Sequence, residues 1–286
     1  MARTSSRRRP TDWFGILPFL LFCLAFEIIP IFMMTRDSLK GRTGGLTLAN
    51  YTALGTRLYI NSFLNSIKLS GITALVGAAL GTVVGYVIYR WPSERLREAL
   101  ISLSDVTTNF AGAPLGFAFI IVLGSAGIVT QFLLRYLGIQ LYPRFSVYSF
   151  AGLALAYVYF QLPLMVLLMI PAFSGIRKEW LESAQNLGAS TFQFWWRIGL
   201  PALVPSLVAG TVLLFANAFG AYATAFTLTG TNLSLVTIQI GFTVTGEVLH
   251  DPGVGLAMAV VSLIIMGSCV LVYRWASGRA QRWSGQ

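Results

Sequence analysis

The sequence predicts an all-α membrane protein, a bundle of six spans, on three observations. Apolar residues make up 56% of the chain and charged residues only 10%, whereas soluble domains carry about a quarter charged residues. The mean hydropathy is positive, at +0.72. The apolar residues also gather into runs of about the 20 residues that a helix needs to cross a bilayer. These runs fall at about 14–34, 62–89, 100–123, 147–170, 204–228 and 254–275. The remainder is too short for a separate soluble domain, so 1–286 reads as a single transmembrane domain.

The first run, Phe14 to Met34, follows Arg7-Arg8-Arg9. It is longer than a signal-peptide core and is followed by no small-residue cleavage site, so it reads as a first span with a basic flank. Residues 35–61 form a mostly polar connector. The second run carries Gly77, Gly81 and Gly85 at spacings of four, a stripe that lets a neighbouring backbone approach closely. The third run is half polar: Asp105, Thr107, Thr108, Asn109 and Pro114 precede a continuous apolar stretch. Such a half must face protein or water at membrane depth. Residues 125–146 are too broken to span, but Ile128, Phe132, Leu133, Tyr136 and Leu137 share one helical face, which predicts a short interfacial helix.

Basic residues flank the runs unevenly. An N-terminus on the cytoplasmic side puts thirteen of the twenty Lys and Arg there, which favours that orientation and, with six spans, both termini inside. This distribution accounts for the net charge of +10 without nucleic acid. Cys23 and Cys269 both fall in apolar runs and read as small buried hydrophobes. His250, the one histidine, has no second histidine or nucleophile at motif spacing, so neither a metal centre nor a membrane protease is indicated.

The most patterned stretch lies between the fourth and fifth runs, at about 171–203. Leu181, Ala184 and Leu187 recur at helical spacing, and Gly188 follows as a C-terminal stop. Ser190, with Gln193 three residues on, is a capping box that starts a second helix. Pro201 marks the beginning of the fifth span. The pattern is Glu182-Ser183-Ala184, three residues, Gly188, nine residues, then Ile198-Gly199-Leu200-Pro201.

In this pattern the chain resembles the permease subunits of binding-protein-dependent type I ABC importers, whose cytoplasmic signature is Glu-Ala-Ala, three residues, Gly, nine residues, Ile-x-Leu-Pro. Ser183 for the first alanine is the sole departure, and serine is also small. The resemblance implies the type I importer permease (MetI-like) fold, set in the lipid of a bacterial inner membrane. It implies that the first short helix is a coupling helix docking on a cytoplasmic ATPase dimer, with Glu182, Ser183, Ala184, Leu187, Gly188, Ile198, Leu200 and Pro201 at the joint. It also implies a second permease, identical or homologous, and an external substrate-binding protein. The chain has no Gly-x-x-x-x-Gly-Lys-Ser/Thr loop, so ATP and Mg are expected on the partner ATPase, with no cofactor here.

Within that family, Leu187-Gly188, Phe219-Gly-Ala-Tyr222, Thr237-Ile-Gln-Ile240 and Gly246-Glu247 look more like the permeases for polyamines, iron, phosphonates and related small ions than those for sugars, and within that group the resemblance is strongest to the spermidine and putrescine permeases. Iron, phosphonate, thiamine and sugar permeases are the alternatives, and an ion-gradient-driven secondary transporter is the rival outside the family. A polyamine attracts carboxylates and aromatic faces, which nominates Glu27, Asp105, Asn109, Asn217 and Tyr222 as passage-lining residues. A charge at mid-membrane costs about 3 kcal/mol. Each also has a plainer reading: Glu27 pairs with a neighbouring helix, Asp105 is hydrated near a span end, Tyr222 packs, or selectivity resides in the binding protein.

Overall fold

The computed structural model describes residues 12–41, 44–246 and 250–284. Arg3, Arg7, Arg8 and Arg9 of the basic flank, Arg42, and Glu247 of the substrate-class motif lie outside them. Among the described residues, six helical stretches are long and apolar enough to cross a membrane: Ile16–Ser38, Arg57–Tyr89, Ala113–Leu137, Phe150–Ser174, Thr191–Gly220 and Pro252–Trp275. The described residues divide into two compact units, one drawn from Met1–Thr56 and Ile240–Ser262, the other from Arg57–Gln239 and Leu263–Gln286.

In the first unit, α1 (Asp12–Cys23) passes through a π-helical turn (Leu24–Ile28) into α2 (Ile29–Ser38), and none of the most apolar part of this span is buried. Polar bonds anchor its end to the connector that follows. The Ser38 hydroxyl shares a 2.7 Å hydrogen bond with the Tyr51 hydroxyl, and Asn50 Nδ2 donates to the carbonyls of Ser38 and Lys40 at 2.7 and 2.9 Å. Asn50 lies in α3 (Ala49–Ala53). Gly253 abuts this asparagine, since a Cβ there would come within 2.8 Å of its amide.

The second unit is built on α4 (Arg57–Tyr89), α8 (Phe150–Ser174) and α11 (Leu200–Gly220). The glycine stripe is the reason α4 and α8 meet so closely. A Cβ on Gly81 would fall 2.6 Å from both the Leu162 carbonyl oxygen and Met165 Cβ, and one on Gly77 would lie 3.0 Å from Gln161 Cβ. Beside this contact Ala74, Ala78, Met165, Met169, Leu203 and Leu214 form the apolar core. Fully buried Gln161 donates from Nε2 to Thr73 Oγ1 at 3.0 Å, crossing between the two helices. A buried polar pair of this kind sets the register of one helix against the other.

The third apolar run is not one helix. α5 (Glu94–Asn109) ends, Phe110–Gly112 is non-helical, and α6 (Ala113–Leu123) begins afresh, continuing past Gly124–Gly127 into α7 (Ile128–Leu137). The physical cause is local: Gly112 takes φ +74, open to glycine alone at little cost, and Pro114 occupies the first turn of α6. α7 is the helix expected to lie at the interface, and its Ile128, Phe132, Tyr136 and Leu137 are exposed. It also completes the spanning stretch that starts at Ala113, so residues 125–137 are not a mere connector. The polar half, α5, satisfies its own side chains: Thr107, Thr108 and Asn109 each donate to the carbonyl four residues earlier, at 2.7, 2.8 and 2.9 Å.

The fifth run is likewise divided. α11 stops at Gly220 and α12 (Ala223–Thr229) follows after Ala221 and Tyr222. α13 (Val236–Thr245) and α14 (Pro252–Ser284) complete the chain.

Candidate functional site

Between α8 and α11 the chain builds a short helix on a rigid mount. α9 (Lys178–Asn186) buries Ala184 and exposes Glu182 and Ser183. Its end is a Schellman motif: the Gly188 N–H donates to the Gln185 carbonyl at 2.9 Å and the Ala189 N–H to the Ala184 carbonyl at 3.0 Å. Gly188 sits at φ +84, the left-handed conformation this motif demands. Leu187, at the cap, is 88% exposed and makes the apolar tip of the turn.

The capping box forms as its spacing predicts. The Ser190 hydroxyl accepts from the Gln193 N–H at 3.2 Å, and Gln193 Oε1 accepts from the Ser190 N–H at 2.8 Å. The helix it starts is not a separate short one. α10 (Thr191–Phe194) runs through a π-helical turn (Trp195–Gly199) straight into α11, one helical stretch from Thr191 to Gly220. Pro201 therefore lies in the first turn after the π-helix, where its missing N–H is tolerated. Ile198 and Leu200 are exposed on this stretch.

An aromatic cluster fastens this mount to the spans. Trp195 meets Tyr86 edge to face, Tyr86 meets Phe173, and Tyr89 stacks on Phe173, with ring centroids 5.3, 5.5 and 5.8 Å apart. Tyr86 and Tyr89 end α4 and Phe173 ends α8, so the turn grips the ends of both helices. Sequence reasoning missed these three, although their aromatic character just before the basic flanks was the available signal.

A second constellation joins the two interrupted helices. The Thr224 hydroxyl donates to the Gly112 carbonyl at 3.0 Å, and the buried Tyr157 hydroxyl donates to the Ala221 carbonyl at 2.6 Å. α6 and α12 pack directly, with Gly116 so close to Thr227 that a Cβ would lie 2.7 Å from its methyl group. The breaks at 110–112 and 221–222 are thus each held by a hydroxyl from another helix: the Gly112 carbonyl also accepts the Gly116 N–H at 3.2 Å as α6 begins, and the Ala221 carbonyl takes the Tyr157 hydroxyl.

The nominated passage residues distribute unevenly around this feature. Asn109 ends the helix before one break and Tyr222 lies in the other, half exposed and stacked on Phe226 at 5.4 Å. Asp105 is exposed one turn before Asn109, and its backbone carbonyl receives the Asn109 amide. Asn217 is exposed on α11, one turn before that helix ends. Glu27 belongs to the other compact unit, exposed in its π-helical turn. Tyr157 and Thr224, which hold the breaks, were not read from the sequence.

The described residues thus form a polytopic helical bundle with a capped helix mounted between two of its spans. The chain belongs to the family of binding-protein-dependent transport system inner membrane components, whose model matches residues 138–282, just over half of its length. It is 29% identical over 269 residues to the spermidine/putrescine transport system permease protein PotB of Escherichia coli (strain K12), covering 93% of this chain and 94% of that protein. The protein of the same name from Haemophilus influenzae is 27% identical, covering 91% and 88%. A putative 2-aminoethylphosphonate transport system permease protein, PhnU of Salmonella typhimurium, is 26% identical over 74% of both chains. The fold is that of ABC importer permeases. It matches a chain of a bacterial ABC transporter that imports the acidic polysaccharide alginate with a TM-score of 0.71 at 16% identity over 95% of both chains. It matches a chain of the MetNI methionine ABC transporter with a TM-score of 0.54 at 15% identity, covering 79% of this chain and 96% of that one.

Proposed function

We propose that this chain is the permease of an ATP-driven importer for a polyamine or a related small organic ion, delivered by an external binding protein. The observation that carries the proposal is the capped helix α9, with Leu187 and Glu182 exposed at its working face and its mount locked to α4 and α8 through Trp195. In this reading α9 lies in the cytoplasm, as do both termini. It docks on an ATPase dimer that binds ATP and Mg, this chain holding no cofactor. Glu182, Ser183, Ala184, Leu187 and Gly188 form the contact, and Ile198, Leu200 and Pro201 carry it into the fifth span. A second permease, identical or homologous, completes the passage, and the unburied first span supplies apolar surface to it or to lipid. The two compact units act as one permease domain.

The solute crosses at the level of the bridged breaks, where unwound backbone supplies polar atoms at membrane depth, the arrangement that transporters use for ion and substrate sites. Asp105, Asn109, Asn217 and Tyr222 line that passage in this reading, and Glu27, in the other unit, is a separate candidate for solute contact. The carboxylate and the ring suit a polyamine cation, and the similarity to PotB over most of the chain supports this class. The same machinery carrying a phosphonate or sulfate is a second reading, favoured by relatives whose names specify those solutes.

The test is a gentle-detergent pull-down of the tagged chain, with proteins identified by mass spectrometry, followed by uptake in proteoliposomes. Co-purification of a P-loop ATPase and ATP-dependent spermidine uptake are expected. Uptake that persists without ATP and collapses with an ion gradient would overturn the proposal in favour of a secondary transporter.

A further inference from the structure

Beside α9 lies a pocket of about 590 Å³ whose chemistry the coupling role does not use. Four cations line it, Arg90, Arg97, Arg177 and Lys178, against a single carboxylate, Glu182. The cations are poorly neutralised. Arg97 is 3.6 Å from exposed Glu94, and Arg90 leans on the Tyr86 ring at 5.9 Å with its Nη1 3.4 Å from the Tyr86 hydroxyl. Among the described residues, neither Arg177 nor Lys178 has an ion-pair partner. The N-terminus of α9 opens here as well, and Arg177 at its cap makes no side-chain capping bond, so the positive end of a helix adds to the field.

The remaining walls are aromatic and apolar: Tyr89, Phe173 and Trp195, from the last turns of two spans and the π-helical turn. Tyr and Trp at the ends of spans prefer the level where a bilayer changes from acyl chain to headgroup, and Tyr89 and Trp195 stand at such ends. A free anion needs only the cations. A ligand whose phosphate meets guanidinium groups while its acyl chains lie along aromatic rings uses the whole lining.

We infer that this pocket binds the phosphate headgroup of an anionic phospholipid, the bound lipid bracing α9 against the ends of α4 and α8. Guanidinium forks match phosphate oxygens in pairs, and basic pockets between helix ends are a recurrent lipid site. The inference goes beyond the coupling role and needs only that these spans lie in a bilayer.

The experiment is native mass spectrometry of the full chain in mild detergent with equimolar phosphatidylglycerol and phosphatidylcholine. The expected result is phosphatidylglycerol retained at least about fivefold over phosphatidylcholine, on the scale of one basic residue at a membrane surface. The double variant R97Q/R177Q is expected to bring phosphatidylglycerol retention down to within about twofold of phosphatidylcholine, while its melting temperature and phosphatidylcholine retention stay unchanged. Equal retention of the two lipids, or a variant that retains phosphatidylglycerol as the parent does, would overturn it. Displacement by millimolar inorganic phosphate would assign the pocket to a free anion, and displacement by an added ATPase partner to an acidic protein surface; either result also overturns it. The comparison of the two lipids and of the variant requires neither ATPase nor solute, so failure of the importer reading would leave it standing, and its own failure would leave the importer reading intact.

Discussion

Trp195 stands edge-on to Tyr86, their ring planes at 86° and centroids 5.3 Å apart, and this one contact ties the turn after α10 to the end of α4. Such a pair is worth about 0.5–1.5 kcal/mol beyond the area it buries, so it biases the two elements toward this geometry by up to about tenfold. Trp195→Ala is therefore expected to leave the bundle folded but to loosen the mount. ATP hydrolysis by the assembled complex should continue while solute uptake per ATP falls severalfold. Parallel ATPase and uptake assays check this, and unchanged stoichiometry would show that the cluster is only packing.

Gly188 has open space around it, but its φ of +84 disfavours any side chain. Gly188→Ala should cost about 1–2 kcal/mol of local strain and weaken uptake modestly. Gly188→Trp adds bulk at the turn proposed to dock, and should abolish ATPase binding while the chain still inserts in the membrane. Co-purification separates the two variants, and normal uptake by the tryptophan variant would remove the coupling role from α9.

The glycine stripe makes a graded prediction on stability. A methyl group at Gly81 meets backbone at 2.6 Å, one at Gly85 meets ordinary contact at 3.5 Å, and one at Gly71 meets nothing within 4 Å. Gly81→Ala should destabilise by about 1–3 kcal/mol, the cost of overpacking a tight interface, with Gly85→Ala milder and Gly71→Ala neutral. Thermal unfolding in detergent ranks them.

Tyr157→Phe deletes the donor to the Ala221 carbonyl and nothing else. An unsatisfied buried acceptor costs about 1–3 kcal/mol, so the break between α11 and α12 should lose order. Reduced melting temperature together with altered KM for uptake is expected. A change in melting temperature alone would confine Tyr157 to a structural role.

Much of this was legible because the code was local. Gly188 and the Ser190–Gln193 pair specify their turn from three or four neighbouring residues, and the stripe from Gly77 to Gly85 announces a close neighbour without naming it. The breaks were harder. Continuous hydropathy conceals an interruption when it is held by residues far away in sequence, as Tyr157 does at Ala221 and Thr224 at Gly112. Gly112 with Pro114 two residues on was the one visible sign that the third run divides. Pro201 suggested a beginning, yet the helix passes through it, because the π-helical turn before it absorbs the irregularity.

The unbroken stretch from Thr191 to Gly220 has 30 residues, about 45 Å of rod at 1.5 Å per residue. It bears on α8 closely at Gly210, where a Cβ would lie 2.7 Å from Met165 Sδ, about 28 Å along the helix from Thr191 and about 15 Å from Gly220. A push beside α9 would therefore have to travel to the break at Ala221 along one helix, past the points where Trp195 and Gly210 bear on α4 and α8.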